Sequence, residues 1–424
     1  MGVVIVTLLV DSQIGYIADF IPEQLSSGIG VAGFIGIAII FAITQYFILL
    51  YIKQSNKEAQ ARTLSFDLTS WVVSIAQYFL AGIVAFVILQ IITEQQYSIA
   101  TLYASHVISY GLWIVILALL AKALFSWYRL SNRNIMVLVL ALSMVAYVVN
   151  GVTGIASYSN MLAQQKSVIT SKDVAYFPEF SIETLGSQID IIYQVAGGAA
   201  YVFTWIGTVK LLYLYIKKLG RVKFWTIMGT AMIYYLISFP LFVLGYFSPS
   251  ENVDAMTNIL IVSLGSIFTG IIFGAAFLSV ARTLRKGTAL RNHMIIAAYG
   301  FLLFYIAGSA AAAQAAYPPY GLASVSFIGL SCYLIYSGLY SSAATVSQDA
   351  NLRQSIRRSV TEQSKLLDSI GTAHMEQELQ SRVLTIARKN SDAMAEETGV
   401  ETSMNEDDMK DYLEIVMKEL HSKK

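Results

Sequence analysis

Residues 256–291 read MTNILIVSLGSIFTGIIFGAAFLSVARTLRKGTALR. The first twenty-six carry no Asp, Glu, Lys or Arg, and the last ten carry Arg282, Arg285, Lys286 and Arg291. At about 1.5 Å per residue, the apolar part crosses about 30 Å of hydrocarbon. Lys and Arg gather on the cytoplasmic side of such crossings, so the basic cluster gives the crossing a direction.

Worked outward, the same unit recurs. Apolar runs of spanning length occur at 29–52, 69–93, 101–126, 134–157, 190–216, 222–247, 256–281, 292–316 and 320–346. The connections after the first, third, fifth and seventh runs, with the run ends that adjoin them, hold fourteen basic residues. They are Lys53, Lys57 and Arg62; Lys122, Arg129 and Arg133; Lys217, Lys218, Arg221 and Lys223; and the four quoted above. The opposite side holds only Lys166 and Lys172. The expected fold is all-α: a polytopic transmembrane bundle of about nine spans in the cell membrane, N-terminus outside and C-terminus cytoplasmic. Its parts are an outer interfacial segment 1–28, the bundle 29–346 with an outer loop 158–189, and a helical cytoplasmic tail 347–424.

Composition agrees. The chain is 56% hydrophobic and 13% charged, against about 25% charged in soluble domains. A net charge of +1 argues against nucleic acid as a partner. One cysteine, Cys332, excludes an intramolecular disulfide, and with four scattered histidines it builds no zinc cluster. No metal, cofactor or catalytic constellation is expected, and the chain does not read as an enzyme. Residues 1–10 are apolar but lack the basic start of a signal peptide and the length of a span. The outer side is acidic, with Asp11, Asp19, Glu23, Glu94 and others.

The middles of the runs lack charged side chains. That counts against a proton pump, a voltage sensor and a charged-substrate exchanger. His106 and His293 sit near span ends and read as interfacial. Candidate intramembrane polar residues are Gln45, Gln77, Asn150, Gln194 and Gln314, which either join helices or line a pocket. Small residues recur at helical spacing at Gly30, Gly33 and Gly36, at Ser266, Gly270 and Gly274, and at Gly308, Ala312 and Ala316. They predict close helix contacts. Trp71, Trp127 and Trp225 fall near inner ends, as an interfacial belt requires. The connection over 158–188 is long, and its Tyr176, Phe177, Pro178 and Phe180 form an apolar cluster suited to a lid.

From Ser347 the composition turns polar. Span nine runs on without Gly or Pro, which predicts one continuous helix leaving the membrane. Leu352, Ile356, Val360, Gln363, Leu367, Ile370 and His374 recur every three or four residues as one amphipathic face. Leu352, Ile356, Val360, Leu367 and Ile370 are the candidate interaction face, allowing a coiled-coil homodimer. Gly371 costs about 1 kcal/mol in such a helix. Gly399 ends it, and Ser403 with Glu406 caps a second short helix carrying Met409, Leu413, Val416 and Leu420. His374 lacks the acidic neighbour and nucleotide-binding domain of a phospho-acceptor.

The segments Ser347-Gln348-Asp349, Leu352-Arg353-Gln354-Ser355-Ile356-Arg357, Leu366-Leu367-Asp368-Ser369-Ile370-Gly371 and Glu406-Asp407-Asp408-Met409-Lys410 carry a resemblance. Over about a fifth of its length the chain resembles uncharacterised multi-pass membrane proteins of ammonia-oxidising archaea. The resemblance implies a membrane sensor module with a helical cytoplasmic output, and no functional residue carries over.

The leading expectation is a sensory or signalling membrane protein whose bundle relays a conformational change to a cytoplasmic helix. The alternatives are a channel or facilitator for a small neutral solute, and a structural subunit of a membrane complex. Expected partners are the lipid bilayer, a cytoplasmic signalling protein or the other subunits of a membrane complex, and a second copy through the tail.

Overall fold

A computed structural model of the chain describes residues 2–17, 26–58, 64–130, 134–163, 168–170, 185–243, 252–285, 287–308, 317–358 and 362–398. The elements are α1 (Gly2–Ile17), α2 (Gly28–Glu58), α3 (Leu64–Glu94), β1 (Gln96–Ser98), α4 (Ile99–Leu130), α5 (Ile135–Ala163), β2 (Val168–Thr170) and α6 (Leu185–Leu212). There follow α7 (Arg221–Val243), α8 (Asn252–Thr283), α9 (Ala289–Gly308), α10 (Leu322–Gln348), α11 (Ala350–Arg358) and α12 (Glu362–Thr398). Among the described residues seven helices are long and apolar enough to cross a membrane: Gly28–Ser55, Phe66–Glu94, Ile99–Leu130, Ile135–Ser159, Ile191–Leu212, Ala289–Gly308 and Leu322–Gln348. The protein is thus an all-α polytopic bundle of membrane-spanning type. The expected spans 222–247 and 256–281 fall on α7 and α8. Of these, Ile267–Thr283 is a shorter apolar helix among the described residues.

The bundle is arranged around α10. Every side chain from Leu322 to Leu339 is buried, and α1, α2, α3, α4, α9 and α12 wall it in. A central helix needs a narrow, self-satisfied surface, and the sequence of α10 supplies one. Its hydroxyls turn back on its own carbonyls: Ser326 donates to Leu322 O at 2.8 Å, Ser331 to Phe327 O at 3.0 Å and Ser342 to Gly338 O at 2.6 Å. Buried serines therefore leave no unpaired donor and take little space. At Gly338 a Cβ would lie 2.5 Å from Ala297 N, and at Gly300 it would lie 2.7 Å from Ile335 N. This reciprocal pair sets the crossing of α9 and α10. Of the expected small-residue stripes, Gly270 and Gly274 do face α9, where a Cβ would meet Leu302 O at 3.0 Å and Ala298 O at 2.8 Å. Gly33 faces Tyr320 Oη, whereas Gly36 and Gly308 have open space.

The first helix is built into the bundle. Asp11 on α1 is fully buried and accepts from Gly321 N at 2.9 Å, Ser324 N at 2.8 Å and Ser324 Oγ at 2.8 Å. Gly321 has a left-handed φ of 91° and no side-chain cap of its own. The carboxylate of α1 thus caps the positive end of α10. Sequence reading placed Asp11 in an acidic outer surface; its environment is instead the interior.

Two stretches of the expected outer loop 158–189 form regular structure. Helix α5 continues to Ala163, and β2 pairs antiparallel with β1 through Gln96↔Thr170, Tyr97↔Ile169 and Ser98↔Val168. The apolar cluster at 176–180 lies outside the described residues.

The largest departure from expectation is at the end of α10. Instead of running on as one helix, the chain becomes extended at Asp349, with φ −104° and ψ 103°. Asp349 Oδ1 then accepts from Leu352 N at 2.9 Å and starts α11. An aspartate in this position stops one helix and caps the next. Helix α12 turns back onto the bundle, against α10, α4, α5 and α6. The second tail helix expected at 403–420 lies outside the described residues.

Candidate functional site

The five candidate amides do not gather in one place. Gln45 on α2 donates to Gln77 O at 2.6 Å, and Gln77 on α3 donates to Ser326 O at 3.3 Å. Together they tie α2 and α3 to the central helix. Asn150 on α5 donates to Tyr193 O on α6 at 2.7 Å. Gln194 is half-buried on α6, and Gln314 lies outside the described residues. The three placed amides with described partners hydrogen-bond a neighbouring helix backbone.

A second polar feature crosses the interior between α5, α6 and α9. Ser143 and Thr204 share a hydrogen bond at 2.5 Å, Thr204 lies 3.3 Å from Tyr147 Oη, and Tyr147 Oη bonds Tyr305 Oη. Thr204 also donates to Ala200 O at 2.8 Å. Phe304 packs edge-on against both Tyr147 and Trp113, at 5.1 Å each. Trp113 belongs to a third feature at the end of the bundle that carries the acidic connections. There His106 stacks on Tyr110 at 4.2 Å and tilts against Tyr158 at 4.6 Å, and Tyr110 lies 4.8 Å from Trp113. His106 is 1% exposed. It reads from sequence as interfacial; the helices α4 and α5 enclose it instead. His293 is likewise fully buried, its Nδ1 3.4 Å from Ser55 Oγ.

Positions 106, 109, 110 and 113 share one face of α4, being three, four and seven apart. Both ring nitrogens of His106, the Ser109 hydroxyl and the Trp113 indole N–H are buried with no hydrogen-bond partner among the described residues. Each such group costs about 1–3 kcal/mol when left unpaired. Among the described residues no group of three metal-binding side chains occurs.

The fourth feature is the seat of α12 at the basic end. Asn134 caps α5 by accepting from Met136 N at 2.9 Å, and its amide donates to Ser369 Oγ at 2.8 Å. Gln363 donates to Leu211 O at 3.0 Å and to Ser279 Oγ at 2.9 Å, reaching α6 and α8 at once. Leu366, Leu367, Ile370 and Ala373 are buried between these polar anchors, and Ile356 of α11 is buried beside them. Leu352 is half-buried, and Val360 lies outside the described residues. At Gly371 an added Cβ would overlap the Val346 side chain. The glycine that looked costly for a free helix is what lets this helix touch α10.

His374 completes the seat. Its ring meets Tyr340 edge-on at 5.2 Å and Trp127 at 5.9 Å. Burial holds its pKa below the ordinary imidazole value, while Glu378, 3.6 Å from Nε2, pulls the other way. Trp127 is therefore fully buried under the tail and is not part of a lipid-facing belt, unlike the exposed Trp71 and Trp225. The exposed Arg357–Asp368 pair at 2.9 Å joins α11 to α12 and contributes little.

Sequence reading missed Asp11, the Gly300–Gly338 crossing and the seat of α12, because each joins residues remote in the chain. A scan against protein-family models, a search of curated proteins and a search of solved structures each found no match to this chain.

Proposed function

We propose that the chain is a sensory or signalling membrane protein of nine spans, with its N-terminus outside and the α12 end in the cytoplasm. The bundle relays a conformational change to α12. One observation carries this reading: the first half of α12 is keyed by hydrogen bonds and a glycine contact into the same ends of α4, α5, α6, α8 and α10. A tilt or shift of any of these helices changes the seat, so α12 reads the bundle as a docked element. The candidate face Ile356, Leu367 and Ile370 is then an intramolecular contact, and a tail homodimer uses another surface.

The test is to purify three forms from native membranes and identify what accompanies each: the full chain, Gly371→Leu, and a chain ending at Val346. The expected result is a soluble signalling protein whose capture changes with Gly371→Leu and ends with truncation. Identical capture by all three would sink the relay. Membrane subunits common to all three would favour a component of a larger complex.

A second reading is a facilitator for a small neutral solute, favoured by the buried hydroxyl series Ser143, Thr204, Tyr147 and Tyr305. Proteoliposomes showing solute flux above empty vesicles, lowered by Tyr147→Phe, would move it to the front.

A further inference from the structure

We propose that the outer half of α12 pairs in parallel with the same segment of a second copy of the chain, through the stripe Leu379, Val383 and Ile386.

The seat uses only part of α12. The helix has 37 residues, and beyond Glu376 none of residues 377–386 is buried. The large apolar side chains that the described tail exposes are three: Leu379 at 48%, Val383 at 43% and Ile386 at 60%. At about 3.6 residues per turn they share one side of α12, opposite Gln363, Leu367, Ile370 and His374. Docking therefore leaves them bare. Beside the seat, that same opposite side is covered by α11, where Arg357 reaches Asp368 Oδ1 at 2.9 Å and Thr372 Oγ1 at 3.1 Å. The cover stops short of the stripe. A helix that leaves a bundle draws its stability from whatever covers its apolar face.

Charge and spacing choose the occupant. Glu378, Asp392, Glu396 and Glu397 beside or beyond the stripe disfavour an anionic lipid surface. A second copy fits. Copies inserted the same way into one membrane send α12 out in the same direction, so the pair is parallel. The steps of four and three from Leu379 to Val383 to Ile386 are then the d, a and d positions of a heptad, and the next a position is Asn390. An Asn at a single a position specifies register and pairing. Arg382 and Lys389 take g positions, opposite e positions 387 and 394 of the other copy, which are Ala and Met. No like charges meet, whereas an antiparallel pair would set Arg382 against Lys389.

The pairing stands independently of the relay and of which side of the membrane α12 faces, since it is measured between copies without any capture of a signalling protein. The experiment is disulfide cross-linking of the full chain in isolated membranes, with one added cysteine and copper–phenanthroline as oxidant. Expected is a disulfide-linked dimer for Val383→Cys and for Ile386→Cys. The dimer should be lost in Ser381→Cys, an exposed position on the other side of the helix, and in the unmodified chain, whose Cys332 is buried. The mass of the chain in mild detergent should be that of a dimer and fall to that of a monomer in Ile386→Asp, a surface change that leaves the seat alone. Equal cross-linking at 381 and 386 would reduce the pairing to random collision and overturn the proposal. Absence of a cross-link at both stripe positions, or a cross-link only to a different protein, would also overturn it, as would a mass unchanged by Ile386→Asp.

Discussion

Two buried histidines sit near Tyr and Trp rings at opposite ends of the bundle, and their surroundings differ in kind. His106 is enclosed by the spans themselves, on α4, beside Tyr110 and Tyr158. His374 is brought in from outside the spans by α12 and closes over Trp127, near the far end of the same helix α4. The first environment persists as long as the bundle does. The second exists only while α12 stays docked. Burial at the acidic end is a property of the spans themselves, and burial at the basic end depends on a helix that packs against them from outside. That difference is why the proposed relay is placed at the end where α12 packs.

The comparison breaks most severely at Asp11. Asp11→Ala takes the acceptor from two buried N–H groups at the start of α10, Gly321 and Ser324, and leaves Ser324 Oγ only Leu8 O, so it should destabilise the whole bundle by about 2 kcal/mol or more. Thermal unfolding in detergent should show it, with Asp11→Asn milder because the amide oxygen still accepts. A melting temperature unchanged in Asp11→Ala would mean that α1 does not hold the acidic end.

Gly371→Leu should act at the basic end alone. Overpacking against Val346 should cost the docked position about 1–3 kcal/mol. Amide hydrogen exchange should speed up over 362–376, with α4 and α10 near His106 unaffected. Faster exchange throughout the bundle would mean that the two ends are one cooperative unit.

The pH dependence sharpens the contrast further. Burial lowers the pKa of docked His374 against an undocked value of about 6.5. Its contribution to docking is therefore fully present above about pH 6.5 and lost as pH falls through the docked value, at up to about 1.4 kcal/mol per pH unit. Hydrogen exchange of α12 should rise on acidification, and His374→Phe should flatten that response. Glu378 opposes the effect, so Glu378→Gln should steepen it. Acid-insensitive docking in the unmodified chain would remove His374 from the seat's energetics.

The smallest effect is expected for the amides. Gln77→Leu removes the link to Ser326 and should cost roughly 0.6–2 kcal/mol without altering exchange in α12. A larger loss would mean that the amide ties are more than helix joints.

The membrane-spanning character of the chain was legible in its sequence, because an apolar run long enough to cross hydrocarbon is a local property. The amphipathic face with Leu367 and Ile370 was legible for the same reason: periodicity is written into adjacent turns. Periodicity shows that a face is apolar and says nothing of what covers it. The tertiary structure decided that α12 returns to the bundle. It also decided that Asp349 breaks the helix after α10, that Asp11 caps α10 and that Gly338 packs on Ala297 while Gly300 packs on Ile335 where α9 and α10 cross. Each of these joins or redirects groups through packing, and a pattern along one strand of sequence cannot encode which distant carbonyl, ring or N–H a side chain will meet.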